Sequence, residues 1–186
     1  MKVRKNPVDT SVVRFNINAC FNPVKKPSDS RFTSSKRLLL IFLGAIMKAE
    51  LNWAGDKAFS YTTNSGFEGF LDGAAKDGDN AKGPSPMEMI LCGLGGCSSY
   101  DVVNILKKSR QDVIDCKTEL QAERAETVPA VFTKIHLHFT VSGHNLKPVQ
   151  VERAVKLSAE KYCSASIMLE RGGVEISHSH TIIELA

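Results

Sequence analysis

The stretch Ser85–Lys108, "SPMEMILCGLGGCSSYDVVNILKK", dictates most of what this chain can fold into. Ser85 has the character of an N-cap. Pro86 falls at the first helical position, where its missing N–H costs nothing, and Glu88 stands where it can close a capping box. The helix opened in this way is apolar on almost every side, so it must be covered on more than one. Gly93, Gly95 and Gly96 each cost roughly 1 kcal/mol in a helix interior, which marks a place where another backbone or a substrate comes close.

Short strand-like runs precede the helix: "MKAELNWA", "AFSYTT" and "FEGFLD", separated by "GDK" and "NSG", which suit hairpin turns. A polar, glycine-rich loop, "GAAKDGDNAKG", leads into the helix. Two alternating runs follow it. Ile114, Cys116, Thr118, Leu120 and Ala122 share one face of the first, and Val131, Thr133, Ile135, Leu137, Phe139 and Val141 one face of the second. Period two over that length predicts half-buried antiparallel strands, joined by a turn at Glu126–Ala130. Pro148 opens a second helix with Val151, Ala154, Val155, Ser158 and Tyr162 on one stripe, ending near Cys163. A short helix, "SASIMLE", stops at "RGG", and "VEISHSHTIIEL" closes the chain as a strand. This order predicts an α+β fold with helices packed on an antiparallel sheet. Three short strands are too few to cover the long helix, which points to an interdigitated dimer.

Charge divides the chain at residue 46. Residues 1–46 carry nine Lys/Arg against two acids, and residues 47–186 carry 15 against 18. The larger part is mildly acidic and has no basic stripe for phosphates, which argues against nucleic-acid binding. Residues 1–46 are set apart from the fold. The apolar run Leu38–Met47 behind "SSKR" has the look of a signal core, and it is too short to span a bilayer. The alternative, favoured because the periodic pattern starts at "MKAELNW", makes Met47 the start and residues 1–46 an extension ahead of it. One domain, 47–186, remains.

Five cysteines, Cys20, Cys92, Cys97, Cys116 and Cys163, are too few and too scattered for a secreted disulfide scaffold, and none stand at C-x₂-C spacing. A reducing compartment, the cytoplasm, suits free or catalytic thiols. Cys97 lies beyond reach of the helix dipole, and Asp101, one turn on, would raise its pKa at close range. The residues alone leave it open whether Cys97 is a packed inert thiol or a reactive one. Cys163, at a helix boundary, is either a small core residue or a thiol helped by N-terminal N–H groups. Cys92 and Cys97 cannot pair within one helix, being about 7.5 Å apart along its axis. Cys116 reads as core. His136/His138 and His178/His180 each share a strand face, so four imidazoles would meet if the strands were neighbours; otherwise they line a solvated face. No Walker loop, Ser/His/Asp order or dinucleotide fingerprint is present.

The run "GPSPMEMILCGLGGCSSYDVVNIL" together with "AEKYCSAS" resembles the OsmC/Ohr family of osmotically induced and organic-hydroperoxide-resistance proteins, in its YhfA-like branch. The resemblance covers residues 47–186. It rests on a proline-started long helix with a central cysteine, a second cysteine 66 residues on, and the strand order between them. It implies an OsmC-like α+β fold, an antiparallel sheet packed on a long central helix, as an intertwined homodimer. It also implies a thiol peroxidase. Cys97 would attack the O–O bond of a small organic hydroperoxide, Cys163 would resolve the sulfenic acid, and an external dithiol would reduce the disulfide. No cofactor, resident metal or membrane enters that scheme. In the active peroxidases an acid directly follows the helix-opening proline; here Met87 holds that position and Glu88, the catalytic acid by match, comes one later. They also hold the thiolate with an arginine from the N-terminal strands, and residues 47–84 contain none. A lysine is no equivalent fork, which leaves Arg110, Arg124, Arg153 or Arg171 as substitutes. The competing reading is a non-catalytic dimer that binds a small apolar or thiol-reactive ligand.

Overall fold

The computed structural model describes residues 46–73 and 80–186. The expectations placed on residues 1–45, Cys20 among them, fall outside the described residues. The first long element is the helix that the sequence announced, α1 (Pro86–Lys108). Its capping box is complete: the Glu88 N–H donates to Ser85 Oγ, and the Ser85 N–H donates to Glu88 Oε2 at 2.7 Å. By length and composition α1 could cross a bilayer, but here Leu94, Ser98, Val102 and Leu106, one turn apart, form a buried stripe against the rest of the fold. The opposite side, with Ile90, Gly93, Gly96 and Tyr100, is bare. Only Gly95 meets the close approach that the glycines implied: a Cβ there would lie 2.8 Å from Leu120 Cδ1, while one at Gly93 or Gly96 meets nothing.

Two three-stranded sheets flank this helix in sequence. The first is a meander of β1 (Ala49–Trp53), β2 (Phe59–Thr63) and β3 (Glu68–Leu71), all antiparallel. Its register gathers Leu51, Trp53, Phe59, Tyr61 and Leu71 on one face and Glu50, Asn52, Ser60, Thr62 and Glu68 on the other. Among the described residues nothing covers the apolar face, and Trp53 is 70% exposed. Asp72 ties β3 to the start of α1. Its carboxylate accepts from the Lys82 and Gly73 N–H groups, which hold its pKa below the ordinary value, and its own N–H donates to Pro84 O.

The second sheet, β4 (Asp112–Arg124), β5 (Phe132–His144) and β6 (Glu175–Glu184), carries the core. β4 and β5 pair antiparallel, as expected, while β6 returns parallel to β5 after the helices α2 (Pro148–Leu157) and α3 (Ser164–Arg171). Two bulges correct the face assignments. Ile114 has no partner between Val113 and Asp115, so it turns outward (59% exposed) and Val113 takes the inner place. Thr133 is the extra residue opposite Glu123 and Arg124, so Phe132 is buried and Val131 and Thr133 are not. An inserted residue reverses every side chain beyond it. Ile135, Leu137, Phe139 and Val141 pack as expected, against Val151, Ala154 and Val155 of α2 and the α1 stripe.

The histidines separate through the register of β5 and β6. β5 and β6 are neighbours, but His136 and His138 pair with Ser177 and Ser179, whereas His178 and His180 pair with Leu137 and Phe139 on the other face. Four imidazoles therefore do not meet. His136 instead hydrogen-bonds Ser177 and Ser179, and His138 bonds Ser179 and Thr181.

Candidate functional site: two thiols and a carboxylate

After Leu157 the backbone of α2 widens into a single π-helical turn, Ser158–Tyr162, closed by the Cys163 N–H donating to Ser158 O at 2.9 Å. A π turn holds one residue more than an α turn and shifts the phase of the residues beyond it. Tyr162 accordingly leaves the apolar stripe assigned to it and is 50% exposed. Cys163 becomes the N-cap of α3, fully buried, its Sγ accepting from the Ser166 N–H at 3.4 Å. This realises the N-terminal N–H contact anticipated for it. Ser98, next to Cys97 on α1, places its Oγ 3.1 Å from the same sulfur, and Ser158 Oγ donates to Ser98 O at 3.1 Å.

The result brings together residues far apart in sequence. One ligand atom each from Cys97, Asp101 and Cys163 lies within 4.8 Å of the other two. Both cysteines are free thiols. Burial pushes the Cys163 thiol above its ordinary pKa; the Ser98 and Ser166 hydrogen bonds oppose that shift, and Cys97 adds to it. Burial likewise raises the Asp101 carboxyl, whose Oδ2 has no hydrogen-bond partner. Asp101 also lines a cleft of about 420 Å³ with Asn104, Lys108, Gln150, Arg153 and Tyr162.

Glu88 is not brought to this cluster. Its carboxylate is spent on the cap of α1, where the Ser85 backbone N–H and then the Ser85 side chain lower its pKa, and it precedes Cys97 by nine residues, about 13.5 Å of helix. Of the four arginines, Arg153 shares the cleft with Asp101, while Arg124 donates to Ala130 O beside the β4–β5 turn. Cys116 sits half-buried against the core, its pKa raised first by burial. Asp101 had a signal in sequence, its i+4 spacing from Cys97. Ser98 and Ser158 had none, because their partners lie on other helices.

The OsmC-like family profile matches residues 77–179, which span α1 through the first half of β6. The chain belongs to the OsmC-like family. Among OsmC-like relatives, protein YhfA of Escherichia coli K12 is 49% identical over 137 residues, 74% of this chain and 98% of YhfA. A hypothetical protein from Aquifex aeolicus VF5 superposes with a TM-score of 0.63 at 31% identity, covering 76% of this chain and all of that one. The organic hydroperoxide resistance protein OhrB of Bacillus subtilis shares the fold, with a TM-score of 0.53 at 17% identity over 74% of this chain and 98% of OhrB. The resemblance read from "SPMEMILCGLGGCSS" and "KYCSAS" thus stands at the level of family and fold.

Proposed function

We propose that this protein is a cytoplasmic thiol peroxidase that reduces organic hydroperoxides through Cys97 and Cys163. The observation that carries the reading is the approach of the two sulfurs to within 4.8 Å. A disulfide needs about 2.05 Å, so the sulfurs have under roughly 3 Å to close. In this scheme the Cys97 thiolate attacks the O–O bond, taking one oxygen as sulfenic acid while the other leaves as an alcohol after protonation. The Cys163 thiol then displaces water from the sulfenic acid to give the disulfide, and an external dithiol restores both thiols. Cys97 is the half-exposed partner and Cys163 the buried one, which suits attack and resolution respectively. Arg153 and Lys108 are the cations that share a cleft with Asp101.

The homodimer belongs to the same proposal. The apolar face of β1–β3 and the Ile90–Tyr100 side of α1 are both bare among the described residues, and a second copy supplies cover for each. The second reading, a non-catalytic dimer binding a small apolar or thiol-reactive ligand, is favoured by the lack of any arginine in residues 47–84 to hold a thiolate. Turnover decides between them. The full chain with a lipophilic hydroperoxide and a dithiol is expected to consume peroxide, and Cys97→Ser to abolish consumption. Absence of turnover, or turnover indifferent to Cys97→Ser, overturns the peroxidase reading.

A further inference from the structure

We infer that Cys97, Asp101 and Cys163 form a binding site for one thiophilic divalent cation, with Zn²⁺ as the best-fitting metal, filled while both thiols are reduced. The proposal stands independently of peroxidase turnover. Its geometry is already close. Tetrahedral zinc holds sulfur at about 2.3 Å and carboxylate oxygen at about 2.0–2.2 Å, so its ligand atoms stand about 3.5–3.8 Å from one another. The three ligand atoms here lie within 4.8 Å of each other before any metal draws them in.

The donor set selects the metal. Two thiolates and one carboxylate suit zinc rather than magnesium or calcium, which take oxygen ligands. Three protein ligands leave a fourth position for water or a small ligand. An independent observation points the same way: Asp101 Oδ2 is shut off from solvent and has no hydrogen-bond partner. A buried carboxylate oxygen without a donor lacks the compensation that a cation would supply.

The supports are in place as well. Cys97 and Asp101 stand one turn apart on the same helix, so their side chains share a face. Ser98 and the Ser166 N–H hydrogen-bond the Cys163 sulfur, as outer partners orient the ligands of a metal. Two thiolates, a carboxylate and Zn²⁺ sum to one negative charge, and Lys108 and Arg153 line the adjoining cleft with Asp101. The spacing rule for zinc motifs missed the site because its thiols come from two helices rather than one C-x₂-C turn.

Cobalt titration tests the site. The full chain, reduced with a phosphine and kept free of oxygen, is expected to bind one equivalent of Co²⁺, to develop a thiolate-to-cobalt charge-transfer band, and to lose that band to Zn²⁺. Asp101→Asn, which preserves volume, should weaken binding about tenfold or more, and Cys97→Ser should remove the band. Cys92→Ser, on the exposed side of the same helix, should leave it intact. Melting temperatures without metal establish that each variant folds, and Asp101→Asn alone decides if Cys97→Ser does not. A band that fails to saturate at one equivalent, that survives both Cys97→Ser and Asp101→Asn, or that disappears in Cys92→Ser overturns the site. Loss of peroxide turnover with the band intact counts against the peroxidase reading only.

Discussion

The two sheets among the described residues have three strands each and are otherwise unlike. β4, β5 and β6 run 13, 13 and 10 residues, and α1 and α2 close over one face to bury Ile135, Leu137, Phe139 and Val141. β1, β2 and β3 run five, five and four residues, and among the described residues their apolar face has no cover; Ala58, in the β1–β2 turn, is buried. The difference teaches that strand number does not make a sheet stable. A small sheet needs another layer to exclude water from its apolar face. One sheet has that layer among the described residues, and the other does not.

The comparison is open to attack, starting where the effect is largest. Phe139→Ala should cost about 3–5 kcal/mol, and calorimetry should find the loss unchanged over a hundredfold range of protein concentration. A loss that grows on dilution would mean that the second sheet also depends on a partner. The double change Leu51→Ser and Trp53→Ser removes apolar area worth about 2–4 kcal/mol. Its cost is expected to depend on concentration and to appear in sedimentation as dissociation to monomers. A variant that remains dimeric with an unchanged melting temperature would show that the exposed face is not the interface.

Smaller effects probe the thiol cluster. Ser98→Ala removes one of the two hydrogen bonds to Cys163 and should cost about 1 kcal/mol. Since that bond lowers the Cys163 pKa, its loss should push the thiol higher still, measurable as slower alkylation at fixed pH. The smallest effect concerns Asp101. Burial raises its folded-state pKa, so the unfolded chain gives up the proton first and the folded state loses stability as pH rises through that window. Asp101→Asn should therefore melt no lower than the parent at neutral pH, with the difference vanishing below the carboxylate range. An Asn variant that melts lower at neutral pH would mean that the carboxylate has a stabilising partner.

The legible and illegible parts of the sequence divide along physical lines. The start of α1 was readable because capping is local: Ser85, Pro86 and Glu88 are consecutive enough to be recognised together. The strands were readable from period two, but their faces were not, because one unpaired residue at Ile114 and one at Thr133 reverse the alternation without altering composition. The parallel return of β6 is a matter of pairing, on which its own residues are silent. The meeting of Cys97 with Cys163 came from resemblance, since no spacing rule connects sulfurs on two helices. Asp101 was seen as a charge near one thiol, and only the fold shows it beside both.

The π turn at Ser158–Tyr162 has a structural consequence. Deleting Ala159 would let this segment regularise into an uninterrupted α-helix, gaining backbone order. The wide turn takes up that extra residue, and the cap that seats the Cys163 sulfur follows directly on it. A straighter helix and the present closure of the Cys163 N–H onto Ser158 O are therefore alternatives at this locus.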